Sequence, residues 1–185
     1  MLSVNLNMSA NDDTLRFWFD EHPKDWFVKN PAFDAEIRKR FLALHEQAAT
    51  GRLAHWADGP RSGLALVILL DQFPRNMFRG EARAFATDAQ ARMAARAILE
   101  RAWDKTMTQS EQLFAYLPFE HSEALADQEL ACELMKNFDE KQRQYAERHR
   151  DIIRRFGRFP HRNDLLGRDN TAAEIEFLRL PGSRF

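Results

Sequence analysis

The sequence predicts an all-α protein, and three observations carry that prediction. Ala, Leu, Arg and Glu are abundant among the 185 residues, while β-branched residues are sparse and only seven Gly occur; this is the composition of helix formers. Apolar residues recur at helical spacing, as in Phe33, Ile37, Phe41 and Leu44. Capping patterns of the Ser/Thr-x-x-Glu/Gln kind punctuate the text at 87–90, 108–111 and 171–174. The length suits one domain with a sizeable core, and fifteen Phe and four Trp supply bulky filling. The expected organisation is a poorly ordered stretch over 1–11 and a single helical domain over 12–185.

In chain order, Asp12 to Phe19 reads as a short helix carrying Leu15, Phe17, Trp18 and Phe19. Asn30 and Pro31 read as an N-cap and first helical residue, and that helix fades before Gly51. Arg52 to Trp56 leads into the Asp58-Gly59-Pro60 turn. Gly63 to Gly80 organises the rest. It opens with the apolar run Leu64 to Leu70 and ends in the polar and aromatic knot Asp71 to Arg79. An element apolar all round is buried on several sides, and this one is too short to span a bilayer. Leu66, Val67, Ile68, Leu69 and Leu70 are therefore expected in the core, with Pro74 ending or kinking the helix.

Thr87 opens a helix to about Trp103, and Thr108 opens another to about Leu117, where Pro118 is expected to break it. Ser122 is the candidate cap of a helix to about Phe138. Asp139 starts a long one ending at Gly157, a natural left-handed C′ residue. Thr171 opens a last short helix with Ile175, Phe177 and Leu178. About eight helices result. Short connections favour antiparallel neighbours, giving hairpins 88–103 with 109–117 and 122–138 with 140–156. Paired hairpins are the unit of a tetratricopeptide-like α-solenoid stack, here around a central apolar helix and without a 34-residue consensus repeat.

A net charge of −1 argues against a generic nucleic-acid binder. The single Cys132 rules out an intramolecular disulfide and suits a reducing compartment. The polar start lacks a signal-peptide apolar core. The expectation is a cytoplasmic protein with neither nucleic acid nor membrane as partner.

Three stretches carry unusual chemistry: Asp71 to Arg79, Pro118 to Glu123 and Gly157 to Asn163. A buried Asp71 at a helix C-terminal end opposes the dipole and needs a cation, with Arg75 and Arg79 nearest. The first and third stretches share Phe-Pro followed by Arg-Asn, with a His inserted in the third. Converging, the three would line a cleft with Arg75, Arg79, His121, Arg158, His161 and Arg162, and Arg suits carboxylate or phosphate. The competing reading makes them helix caps and loop-pinning ion pairs. The basic run Lys136 to Arg168, ten basic against five acidic residues, is a solvated helix face or a steering field.

His149 falls on an inner helix face with Tyr145, Ile152 and Phe156. It reads either as a hydrogen-bonded core histidine or as a cleft histidine oriented by Asp71 or Glu120. His121 and His149 are the candidate acid–base residues, and Asp71, Arg75, Arg79, Glu120, Arg158, His161 and Arg162 the candidate ligand contacts. The Glu120, His121, Glu123 spacing does not suit a metal. No Gly-rich phosphate loop or nucleophile elbow occurs, and no cofactor is expected.

With these motifs in view, the chain resembles a bacterial family, number 924 among the domains of unknown function. Leu70-Asp-Gln-Phe-Pro-Arg-Asn-Met-Phe-Arg-Gly80 is similar to its central motif. Leu117 to Glu123, His149 to Ile153 and Gly157 to Asn163 are similar to its others. The resemblance covers Leu15 to Leu178 and implies a tetratricopeptide-like all-α fold; it implies no activity. Two functions are therefore set against each other: a cleft for a small anionic molecule, with hydrolase-like acid–base chemistry, and a scaffold that binds a peptide or a second copy. The scaffold would use exposed rings among Trp18, Trp26, Phe27 and Trp56.

Overall fold

A computed structural model describes residues 9–184. Among them every regular element is helical. Helix α1 spans Ala10–Leu15 and continues as a π turn over Arg16–Glu21. It is followed by α2 (Pro31–Ala49), α3 (Pro60–Val67), a π turn over Ile68–Gln72 and α4 (Phe73–Met77). Then come α5 (Asp88–Glu100), α6 (Gln109–Glu120), α7 (Leu125–Leu134), α8 (Glu140–Phe156) and α9 (Ala172–Leu178). Counting α3, its π turn and α4 as one continuous helix gives the eight expected. No helix among the described residues is long and apolar enough to cross a membrane.

The N-terminal expectation changes in part. Ser9 caps a helix that already runs at Ala10 and Asn11, two residues of the stretch expected to be poorly ordered; residues 1–8 lie outside the described residues. The Asn30 cap forms as expected, its side-chain oxygen accepting from the amides of Ala32 and Phe33 at 3.1 and 3.2 Å. Phe33, Ile37 and Phe41 are buried along α2, but the stripe continues through His45 and Ala48, and Leu44 is only half-buried.

The run Leu64 to Leu70 is buried throughout, as its all-round apolarity requires. Burying each such side chain contributes about 1.5–3 kcal/mol. α3 packs against α1, α5 and α6, and the π turn against α2. Pro74 neither ends the chain of helices nor breaks it. Its ring nitrogen has no proton, so the carbonyls four and five residues back, Leu70 and Leu69, lose their amide partner. Remote side chains replace it: Thr87 Oγ1 donates to the Leu70 carbonyl at 2.5 Å, and His45 Nδ1 donates to the Leu69 carbonyl at 2.8 Å. Because a carbonyl only accepts, His45 carries its proton on Nδ1; burial lowers its pKa and keeps it neutral.

That use of Thr87 corrects another expectation. Its hydroxyl makes no cap on α5, because it is spent on Leu70; Gln90 donates to the Ala49 carbonyl instead of closing a capping box. The boxes at Thr108–Glu111 and Thr171–Glu174 do form. Pro118 does not break α6, which runs to Glu120. Gln128 holds the far end by donating to the carbonyls of Glu120 and Ser122, both at 2.6 Å. Ser122 does not cap α7; it accepts from the Ala124 amide and donates to Asp127. α7 also stops at Leu134, short of Phe138. α8 begins on an Asp139 cap and ends at Gly157 with φ 69°, as expected. α5 packs on α6 and α7 on α8.

Candidate functional site

The helix ends around α4, α6 and α8 enclose a cavity of about 890 Å³, within the range of small-molecule sites. Its inner wall holds Arg75, Glu120, His121, His149, His161 and Arg162. Six expected residues from the three polar stretches and α8 thus meet in one place. Arg79 lines the rim, forked onto Asp34 by two bonds of 2.9 Å. Asp71 lies behind the wall with no exposure. Arg158 is the exception. It does not line the cavity; it clamps Glu174 at 2.7 and 2.8 Å and the Asp169 carbonyl at 2.7 Å, beside the start of α9.

Asp71 is reached from three sides. His121 Nδ1 donates to Oδ1 at 2.8 Å, Gln72 donates to Oδ2 at 2.5 Å, and Arg75 stands 3.3 Å from Oδ1. Burial pushes the carboxyl up, but Arg75, His121 and Gln72 outweigh it and hold it below the usual carboxylate range. Arg75 is in turn fixed by Asp88 at 2.9 and 3.1 Å and by the Asp71 carbonyl at 2.7 Å. His121 is kept from charging by burial and by Arg75, against the pull of Asp71. With the proton on Nδ1 facing Asp71, the lone pair is on Nε2, which hydrogen-bonds to no described residue while the ring lines the cavity.

The second carboxylate–histidine pair is different. Glu120 Oε1 lies 3.2 Å from His149 Nδ1, which also donates to the Tyr145 carbonyl at 2.8 Å. Burial, then the charge of Asp71, pushes the Glu120 carboxyl up to about 8. Burial lowers His149 to about 3. The separation is that of an ion pair, yet at neutral pH both partners are uncharged: among the described residues no cation bonds to Glu120, and burial keeps the His149 imidazole neutral against the pull of the Tyr145 carbonyl.

Arg162 is 6% exposed. Its guanidinium lies between the rings of Phe85 and Phe159, 4.6 and 4.5 Å from their centroids. Among the described residues its one carboxylate contact is Asp88 at 3.4 Å, and its buried Nε has no partner. Burial and Arg75 lower it to about 10, so it stays charged. His161 is held neutral, lowered to about 4 by burial and then by Arg162.

Several residues in or behind the wall had no place in the cleft expected from the sequence. Asp88, behind the wall, holds both arginines; its only sequence signal was a place beside Thr87 in a helix start. Lys29, Lys141, Arg148 and Arg184 make the rim basic, and Trp26, Phe27, Leu113, Leu117 and Tyr145 give it an apolar side. Seven lining cations face two lining carboxylates, Glu120 and Asp139. Glu123 belongs elsewhere, since it pairs with Arg168 at 2.7 Å and accepts from the Phe159 amide at 2.8 Å. Of the rings considered for a scaffold, Trp18 and Trp56 are buried, Trp26 is half-buried with its N–H on the Trp18 carbonyl at 2.7 Å, and Phe27 is exposed.

Comparison with known proteins agrees with the architecture. A solved structure of a protein of unknown function from Agrobacterium tumefaciens is 44% identical and superposes with a TM-score of 0.88, covering 91% of this chain and 96% of its own. No curated protein matches the chain. The model of a family described as bacterial proteins of unknown function, DUF924, matches residues 14–182. The chain belongs to that family.

Proposed function

We propose that the cleft binds a small organic anion and performs acid–base chemistry on it. One observation carries this reading: among the described residues Arg162 is a buried, charged guanidinium with an unpartnered Nε and one long carboxylate contact. A buried charge so poorly matched is costly unless a ligand completes it, and guanidinium is built for planar anions. His121, held by Asp71, has the arrangement of a general base, with Nε2 available to take a proton from water or substrate. Asp71 would then stabilise the imidazolium. Glu120, the preceding residue, supplies a neutral carboxylic acid as proton donor. Titratable groups pushed in opposite directions are the pattern of an acid and base sharing a site. Hydrolysis by activated water fits this set. The stacked pairs α5–α6 and α7–α8 support a tetratricopeptide-like frame behind the site, and the lone Cys132 supports a reducing, cytoplasmic setting.

The test is a thermal-shift screen of carboxylated and phosphorylated metabolites, because a ligand of the native state raises the melting temperature. Wild type is expected to respond to at least one, and Arg162→Met to none. His121→Asn keeps a donor toward Asp71 but has no base; it is expected to bind the same ligand without converting it. A screen in which no anion shifts wild type removes the reading.

A further inference from the structure

The walls of the cleft differ from one end of α6 to the other. Leu113, Leu117, Glu120 and His121 all line it; their spacing of four, three and one places them on one helix face. Eight residues separate Leu113 from His121, about 12 Å at the helical rise. The polar end is therefore about 12 Å from an apolar end, where Trp26 and Phe27 lie against Phe114 with ring centroids 4.8 and 6.0 Å away.

Exposed apolar side chains also gather along the cavity. Of the nine exposed large apolar side chains among the described residues, four line this one cavity: Phe27, Val28, Tyr145 and Leu165. Scattered exposed apolar residues are ordinary, whereas a cluster rimmed by charge marks a binding surface. At the polar end Arg75 and Arg162 face Asp71 and Asp88, two cations against two anions. A guest with one negative charge placed beside Arg162, whose carboxylate contact with Asp88 is long, adds one anion to that balance; a second buried charge would leave the anions there in excess by two.

Resting on the anion-binding reading, we infer that the ligand is an amphipathic monocarboxylate: its head at Arg162 and His121, its apolar body along Leu117, Leu113 and Phe27. The 12 Å length corresponds to a chain of about eight to ten carbons. A cavity of about 890 Å³ has room for it.

Calorimetric titration with acetate, butanoate, hexanoate, octanoate, decanoate and dodecanoate tests this. Affinity is expected to rise about three- to fourfold per methylene and to level off after decanoate. Phe27→Ser, at a side chain 70% exposed and so harmless to the core, is expected to flatten the slope for the longer members. Arg162→Met is expected to weaken every member. Equal binding of short and long chains overturns the inference and leaves the anion site standing. A slope unchanged in Phe27→Ser overturns the assignment of the apolar wall. Tighter binding of octyl phosphate than of octanoate overturns the monocarboxylate head. No binding by any carboxylate or phosphate overturns the anion site itself.

Discussion

Asp71–His121 and Glu120–His149 are built from the same chemistry, stand side by side with their imidazole rings 6.5 Å apart and are both buried, yet their carboxyls hold different charge states. Asp71 is ionised because Arg75, Gln72 and the His121 N–H all reach it. Glu120 is neutral because burial disfavours its charge, the nearby negative charge of Asp71 reinforces that, and no cation among the described residues reaches it. Partners, not depth, decide the charge of a buried carboxyl. The same comparison separates the histidines: His121 keeps a carboxylate partner, while His149 leans on the Tyr145 carbonyl.

The largest expected effect follows from breaking the ionised pair. Asp71→Ala strands Arg75 with one carboxylate and leaves the His121 N–H unpaired, at an expected loss of about 3–5 kcal/mol. Glu120→Gln replaces one neutral group by another and is expected to stay within about 1 kcal/mol at pH 6. Urea unfolding of both variants measures the difference; equal losses would mean the two pairs are not electrostatically distinct.

A smaller effect is read from pH. Glu120 binds its proton more tightly folded, near 8, than unfolded, near 4.5. Its contribution is thus fully present below 4.5 and is lost as pH rises to 8. His149 and His161 are lowered to about 3 and 4, so theirs is present above 6.5 and lost as pH falls. Between 4.5 and 6.5 the slopes oppose; between 6.5 and 8 Glu120 acts alone among these three. Wild type is expected to lose about 2 kcal/mol over that interval, and Glu120→Gln to be flat. A wild type that is level from 6.5 to 8 would show that Glu120 is already ionised.

Much of this was legible in the sequence where the cause is local. Apolar spacing placed the core of α2 and the buried run Leu66 to Leu70, and caps placed the starts of α2, α6, α8 and α9. The motif residues Arg75, His121, His161 and Arg162 were visible as polar breaks in helical text. What failed depended on partners far along the chain. Pro74 and Pro118 read as stops, but side chains from elsewhere hold the backbone around Pro74, and α6 runs through Pro118 to Glu120. Arg158 belongs to the same polar stretch as Arg162, yet Glu174 captures it. Asp88 meets Arg162 across 74 residues, and no short-range pattern announces it.

The smallest effect sharpens the comparison at the backbone. The π turn that carries Asp71 depends on Thr87 Oγ1 to satisfy the Leu70 carbonyl, whereas Glu120 sits on a helix end held by Gln128. Thr87→Val keeps the side-chain shape and removes the hydroxyl, leaving a buried acceptor unmet at a cost of about 1 kcal/mol. Thr87→Ser retains the hydroxyl and is expected to lose less. Loosening the turn should disturb the residue it positions and not the other. The His121 ring resonances are expected to move in Thr87→Val, and those of His149 to stay within the spread seen in Thr87→Ser. Equal displacement of both rings would mean that the two pairs share one support, and that their difference in charge arises from contacts with the side chains alone.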